Sequence, residues 1–360
     1  MRIATYNVEW FDALFDAQGR PLLDGAWSRR HDVKRIDQLH ALAKVFRTLD
    51  ADAIMVIEAP DTSRKRDTVQ ALEQFADFSG IRARAVTTGF LNDTQQEIAL
   101  LYDPLILRAK HDPRGIPVED AGRDDLDGRP PMFNSVYHLD IDTDMSRDPI
   151  AFSKPPLELA MQVRATGFAF RMIGVHVKSK APHGARSRDE EIRISIENRR
   201  KQQAQCIWLR ERIEQHLSAG DPLIVLGDFN DGPGLDEFEA LFGRSGLEIV
   251  IGEGVGRRAE DHRLFDPHAR MAMAPRASAA PTTSRFFIRH ENRYLSALLD
   301  YIMVSKDLAP KGRWRIWHPF DDRACYEDVA LREALLTASD HFPVTLDLDL
   351  MTGNLDTKNG

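Results

Sequence analysis

Short apolar runs, most of them closed by a polar residue, recur along the chain. They span Arg2 to Glu9, Ala53 to Glu58, Ile98 to Tyr102, Leu157 to Val163, Phe168 to Val177, Leu223 to Leu226, Leu247 to Ile251 and Tyr301 to Val304. Their length predicts buried strands. Val344 to Leu350 alternates strictly between apolar and polar residues, as a strand with one wet face does. Two stretches carry helical spacing instead. Val33 to Leu49 places Ile36, Leu39, Leu42, Ala43 and Phe46 three and four apart, and Asp189 to Leu217 predicts a long charged helix ending near Gly220. The strands outnumber the helices and do not alternate with them one to one. That predicts an α/β sandwich of sheets flanked by helices, not a doubly wound parallel sheet.

Two segments break the pattern. Residues 112–131 are rich in Asp, Arg, Gly and Pro, and residues 252–285 in Gly, Arg, Ala and Pro. Irregular loops this long are uncommon unless they bind something or move. Strands of similar character resume on both sides, so neither reads as an interdomain linker. The expected organisation is one domain over 1–350, with insertions near 112–149 and 252–285 and a tail at 351–360.

Composition narrows the function. The chain has 48 Lys and Arg against 56 Asp and Glu, a net charge of −8. This excludes nucleic-acid binding through bulk positive charge but leaves room for a local basic groove or a bridging cation. Two cysteines, Cys206 and Cys325, with no CxxC pair, exclude a disulfide framework. No apolar run reaches the ~18 residues of a membrane helix, so no integral membrane segment is expected. The start, MRIATYNVEWF, lacks the apolar core of a secretory leader. These features predict a cytoplasmic protein and leave its oligomeric state open. No Gly-rich dinucleotide or P-loop signature points to an organic cofactor.

Chemistry-bearing side chains gather at the ends of the runs. Leu223 to Asn230 drives a buried strand into Gly227 and then presents Asp228 and Asn230, on one side if the strand persists. A carboxylate beside an amide can accept a proton, bind a cation or donate to an anionic oxygen; the same residues also suit a plain turn. Ser339-Asp340-His341 precedes the last strand and offers either a ligand beside an acid/base or a cap beside a surface histidine. Asp300 enters the run Tyr301 to Val304, where it can orient a histidine or sit in solvent. Asn7, Glu9 and Glu58 close the first two runs. An oxygen-rich set of this kind suits a hard cation, Mg²⁺ or Mn²⁺, better than Zn²⁺. His176, followed by Lys178 and Lys180, can meet a phosphate or be half-buried with snorkelling lysines.

Together the order N-x-E, E, H-x-K, GDFN, D-Y-I and SDH, from Asn7 to His341, resembles the endonuclease/exonuclease/phosphatase superfamily. That superfamily includes deoxyribonuclease I, exonuclease III-type repair nucleases, inositol-polyphosphate phosphatases and bacterial sphingomyelinases. The resemblance implies a four-layer α-β-β-α sandwich of two mixed sheets, with the site where strand tips converge. It implies Glu58 as the principal metal ligand, with Glu9, Asn7 and Asp340 at the metal. It implies that Asp228 positions or deprotonates water, and that Asn230, Asn7 and Lys178 meet the phosphate. His341 acts on the phosphate or as acid/base, oriented by Asp300, and His176 matches the histidine of the deoxyribonuclease I-like branch. Three positions depart from the pattern. Glu9 stands where some members carry aspartate, Ile57 precedes Glu58 where many have a polar residue, and Lys154-Pro155-Pro156-Leu157 resembles an Arg-Pro-Pro-Leu element with the guanidinium fork lost.

The expected activity is a divalent-metal-dependent phosphoesterase acting on nucleic-acid phosphodiesters. Basic stretches at Arg199-Arg200-Lys201 and Arg257-Arg258 favour that substrate, unless they are solvated helix faces. The alternative is a phosphomonoesterase or a phospholipid or inositol-phosphate hydrolase. Arg285-Phe286-Phe287-Ile288 is then a membrane-meeting element, or simply a strand. A non-catalytic binding module is the third reading, and it conflicts with a complete set of acids, amides and His341.

Overall fold

Alternation of side chains along each strand builds the layers of this protein. The computed structural model describes residues 1–63, 66–92, 94, 96–117, 130–139, 147–182, 184–232, 241–253, 261–274, 280–288 and 292–350. In chain order the first strands are β1 (Arg2–Asn7), β2 (Ala53–Pro60), β3 (Ala85–Thr88), β4 (Gln96–Tyr102) and β5 (Leu107–His111). Next come β6 (Tyr137–Leu139), β7 (Asp148–Ile150), β8 (Leu157–Val163), β9 (Ala169–His176) and β10 (Leu223–Asp228). The last are β11 (Ser284–Ile288), β12 (Arg293–Ala297), β13 (Asp300–Val304), β14 (Gly312–Ile316) and β15 (Val344–Leu348). The helices are α1 (Arg35–Leu49), α2 (Thr68–Ser79), α3 (Arg188–Ser218), α4 (Gly246–Ile251), α5 (Pro267–Met273), α6 (Arg323–Glu327) and α7 (Val329–Ala338).

One mixed sheet runs β14-β15-β1-β2-β4-β3 and the other β13-β10-β9-β8-β5. Ile3, Met55, Ile57, Leu100, Leu159, Met172, Ile224, Leu226, Ile302 and Val344 share one buried cluster, the layer between the sheets. Ala4, Tyr6, Ile54 and Val56 on the other face of the first sheet pack under α1, α2 and α7. Val175, Val225, Tyr301 and Met303 pack under α3 and α4. The result is the expected α-β-β-α sandwich of two mixed sheets. Among the described residues no helix is long and apolar enough to cross a membrane.

Several local expectations change. The run Leu247 to Ile251 is helix α4, not a strand. Ser245 and Glu248 form a capping box at its start, and Gly252 ends it at φ 89°. The segment 252–285 is not wholly irregular: Asp266 accepts the backbone N–H groups of His268 (2.8 Å) and Ala269 (3.0 Å) and starts α5 behind Pro267. Within 112–149, β6 and β7 pair through Tyr137 and Ile150. Much of both segments, with Arg257, Arg258 and the tail 351–360, lies outside the described residues. The supposed wet face of β15 is half covered: Thr345 is buried, and its Oγ1 accepts Trp317 Nε1 at 2.9 Å. Arg199 is no surface cation: it is buried, with its guanidinium 5.7 Å from the Phe242 ring centroid.

The approach of β10 to β9 depends on Gly227. Its φ is 139°, and a Cβ there would lie 2.0 Å from the carbonyl oxygen of Val175. Gly167, at φ 71°, has nothing within 4 Å of that position. We expect Gly227→Ala to lose about 3 kcal/mol or more of unfolding free energy, and Gly167→Ala about 1 kcal/mol. Urea denaturation of the two variants checks the contrast; equal losses would remove the close approach as a constraint.

Candidate active site

The site is the polar end of the layer between the sheets. Asn7, His176, Asp228 and Asp300 continue the parity of Ile3, Met172, Ile224 with Leu226, and Ile302, all of which face the other sheet. Across the second sheet Asp300 and His176 are the register partners of Asp228, so the three stand in a row. Asn7 reaches over from the first sheet, and its Nδ2 donates to Asp228 Oδ2 at 2.9 Å.

Asp228 is buried and held from several directions. Its Oδ1 accepts the backbone N–H of Asn230 at 2.8 Å, and its Oδ2 also accepts Asn230 Nδ2 at 3.2 Å. Asn230 sits at φ 49°, so the strand ends at Asp228, and a left-handed turn brings the amide back. Its Nδ2 also meets Val177 O at 3.1 Å. The amide therefore orders the Asp228 carboxylate, whereas the family resemblance implies a contact with the phosphate. Burial pushes the Asp228 carboxyl up; His341 opposes this and Asp300 adds to it.

His341 stands between two carboxylates. Its Nδ1 is 2.8 Å from Asp300 Oδ2, and its Nε2 is 4.0 Å from Asp228 Oδ2. Burial works against an imidazolium here, but Asp300, Asp228 and Asp340 outweigh it and hold the His341 pKa well above its ordinary value. Asp300 is fixed in turn by Thr283, whose Oγ1 donates to Asp300 Oδ2 at 2.8 Å and accepts the N–H groups of Leu299 and Asp300, both at 3.0 Å. Ligand atoms of Asp228, Asp300 and His341 lie within 4.8 Å of one another, close enough for a metal. Asp300 Oδ2 is committed to His341 and Thr283 while its Oδ1 is buried without a hydrogen-bond partner, so the group is a carboxylate–imidazole dyad facing Asp228 that keeps one open carboxylate oxygen.

Glu58 reaches the site through a break in its strand. Ile54 and Val56 point to the helices and so does Ala59; the register with β4 shifts between Ile57 and Ala59. Glu58 is the extra residue of this bulge, at φ 63°. Its Oε2 accepts the N–H of Trp10 at 3.2 Å and Gln96 Nε2 at 2.5 Å. Gln96 Oε1 receives Lys154 Nζ at 2.5 Å, and the same Nζ lies 3.1 Å from His176 Nδ1. His176 Nε2 is 3.8 Å from Asp228 Oδ2, beyond hydrogen-bond range. Burial, then Lys154, His341 and Lys178, push the His176 pKa well below its ordinary value.

The remaining residues lie at the rim. Glu9 pairs with Arg30, which also donates to Leu336 O at 2.8 Å. Asp340 is close enough to Glu9, Glu58 and His341 for their charges to act on it, and burial raises its pKa to about 7. The Lys178 ammonium is near those of Lys154 and Lys201, while Lys180 turns away to Asp231 Oδ1 at 2.5 Å. Ser339 ties the loops together: its Oγ donates to Asn7 O at 2.8 Å and accepts the N–H of His341 at 3.1 Å. Glu58 and Asn7 offer oxygens of the kind a hard cation takes. The two residues lie on adjacent strand tips, and Asn7 Oδ1 is buried without a hydrogen-bond donor. Sequence reasoning missed Gln96 and Thr283, gave Ser339 of the SDH motif no role of its own, and undervalued Lys154.

Two mixed sheets enclosed by helices, with carboxylates, amides and imidazoles at one end, place the protein among phosphoester hydrolases of deoxyribonuclease I-like fold. The chain belongs to the Endonuclease/Exonuclease/phosphatase family, whose profile it matches over residues 4–341. Similar solved structures include truncated TDP2 from Caenorhabditis elegans, at 15% identity over 96% of each chain and a TM-score of 0.49. The human Nocturnin catalytic domain matches at 14% identity over 97% of this chain and 94% of that one, with a TM-score of 0.45. A mannosyl-6-phosphatase from Bacteroides thetaiotaomicron matches at 13% identity over 97% and 99%, with a TM-score of 0.47. No curated protein matches the chain in sequence.

Thr283→Val is nearly isosteric but leaves two buried N–H groups and one face of Asp300 unsatisfied. We expect it to lower unfolding free energy by about 2 kcal/mol or more and to reduce turnover through Asp300. Urea denaturation beside steady-state kinetics checks this, and a variant neutral in both would remove Thr283 from the support of the dyad.

Proposed function

We propose that the protein hydrolyses phosphodiesters of nucleic acid by attack of water, with a divalent cation, Mg²⁺ or Mn²⁺, held by Glu58 and Asn7. The observation that carries this reading is the row Asp300–Asp228–His176 with His341 beside it. One site thus holds a carboxylate able to take a proton and two imidazoles in different environments.

Asp228 takes the proton of the attacking water, and Asn7 and Asn230 hold its carboxylate in line. His341, oriented by Asp300, faces the phosphoryl group with its Nε2 and handles the charge that develops there. His176 and Lys178 donate to phosphoryl oxygens. A cation bound at Glu58 and Asn7 supplies neutralisation of phosphoryl and leaving-group charge. Asp340 and the Glu9–Arg30 pair form the outer wall of that pocket, so Glu9 shapes the pocket through Arg30.

Support for a polymer with bases comes from the β11–β12 ribbon. Phe286 packs its ring 5.4 Å from that of His341, and its cross-strand neighbour Leu295 is 41% exposed. An apolar wall beside the phosphate site suits a stacked base or sugar better than a bare phosphate monoester. A phospholipid head-group diester would use the same wall against a membrane.

Hydrolysis of plasmid DNA, single-stranded RNA, bis-p-nitrophenyl phosphate, p-nitrophenyl phosphate and an inositol phosphate, with and without Mg²⁺ or Mn²⁺, tests the proposal. Cleavage of DNA or RNA that requires the cation is the expected result. Activity confined to the monoesters or the inositol phosphate would overturn the nucleic-acid reading. Asp228→Asn is expected to cut kcat roughly 10²–10⁴-fold, and near-wild-type turnover would reject its role as base. Glu58→Gln is expected to move the metal titration to higher concentration; an unchanged titration would take Glu58 out of the metal site.

A further inference from the structure

We propose that Lys154 and Gln96 form a positioning bridge between Glu58 and His176. Through it His176 is fixed as the Nε2–H tautomer and serves as a hydrogen-bond donor to the substrate, not as a proton-releasing acid. What the Nε2–H meets rests on the phosphoester reading above; the tautomer rests on the Lys154–His176 geometry and the ammonium of Lys154.

An ammonium has three donors and no acceptor. Lys154 Nζ is 3.1 Å from His176 Nδ1, so that nitrogen accepts and the ring proton is on Nε2. A second proton would have to sit on Nδ1, where the ammonium stands. The groups that face His176 from the neighbouring elements are Lys154, Lys178, His341 and Asp228. Three of these four carry or can carry positive charge, so they oppose a doubly protonated ring. Among the described residues the one carboxylate paired with the ring within 4 Å, Asp228, is 3.8 Å from Nε2 and is occupied by Asn7 and Asn230.

The bridge also sets Gln96. Its Oε1 faces the ammonium and its Nε2 faces Glu58 Oε2, each at 2.5 Å. The reversed amide would put NH₂ against ammonium and carbonyl against carboxylate, so the flanking charges select one orientation. Glu58 and Gln96 belong to the first sheet and His176 to the second. Lys154 therefore links the sheets on the metal-carboxylate side, as the Asn7–Asp228 bond does beside it. A lysine fits this place because a compact ammonium serves two acceptors in different directions, whereas an arginine fork favours two parallel bonds to one partner. Lys154 thus holds other side chains in place; it is a positioning residue.

Side-chain ¹H–¹⁵N correlation spectra of the full-length labelled protein test the tautomer directly. His176 is assigned by the signal lost in His176→Gln. We expect a neutral ring with the Nε2–H pattern, unchanged across roughly pH 6–8, where a free histidine titrates. In Lys154→Met we expect that pattern to be lost, through mixing of tautomers or uptake of a proton, and Lys154→Arg to restore part of it. An Nδ1–H pattern in the wild-type protein, or an unaltered pattern in Lys154→Met, overturns the proposal. Should Lys154→Met fail to fold, the wild-type spectrum still decides.

Kinetics on bis-p-nitrophenyl phosphate form the second arm. Lys154→Met should lower kcat by roughly 10–100-fold, the usual effect of losing an outer-shell partner, with a smaller change in KM. His176→Gln keeps a donor and should retain more activity than His176→Ala. Equal loss in both would return His176 to proton transfer and overturn its assignment as a donor. If no phosphoester is hydrolysed, the substrate reading fails while the spectra still decide the tautomer.

Discussion

The hydrogen bond from Asn7 to Asp228 closes the polar end of an otherwise apolar layer, and the site is arranged around it. Behind it the two sheets meet through Ile3, Leu226, Ile302 and their neighbours. In front of it the same strand faces carry Asn7, His176, Asp228 and Asp300. A carboxylate so deep needs donors, because an unpaired buried charge costs several kcal/mol. Two amides and a backbone N–H meet that need, and each comes from a strand tip or the turn that follows it. Asp300 directly opposite would repel Asp228, and the imidazole of His341 lies between them.

Holding these groups in register strains the backbone at defined places. Among the described residues Trp10, Glu58 and Asn230 are three of the six non-glycine residues with positive φ, and all three touch the site. Conformations of this kind persist only where the surroundings over-determine them. Here the surroundings are the packed sheets, with β10 drawn against β9 at Gly227 and the bulge in β2 buttressed by β4. The apolar layer thus fixes strand tips that would be free to relax on their own.

This division explains what could be read from the chain beforehand. The strands and the inward parity of Asn7, His176, Asp228 and Asp300 follow from period two, which any buried strand must obey. Glu58 does not follow from it. Strict alternation sends Glu58 toward the helices, and the bulge that re-aims it has no glycine to announce it. Asn230 was legible as a neighbour of Asp228, but its left-handed turn was not. Thr283, Gln96 and the bridging role of Lys154 were hidden for a different reason. Their partners are far away in the chain, and a polar residue ahead of or at the start of a strand looks the same whether it faces water or a buried carboxylate. The helix at Gly246–Ile251 was legible in principle, since Ser245, Glu248 and Gly252 are its caps, but the apolar run Leu247 to Ile251, interrupted by Glu248 alone, outweighed them.

The two imidazoles give the site its asymmetry. Both rings face Asp228; His341 also sees Asp300 and Asp340, whereas His176 also sees Lys154, Lys178 and His341. The same residue type is thereby held toward its charged form on one side of Asp228 and toward its neutral form on the other. Environments that separate two titratable groups in this way divide their labour. The charged ring, backed by a carboxylate, suits the side where negative charge builds. The neutral ring, backed by an ammonium, suits a fixed hydrogen bond. Lys154 belongs to this division as much as Asp300 does, since each stands behind one imidazole at Nδ1 and determines what the other nitrogen can do.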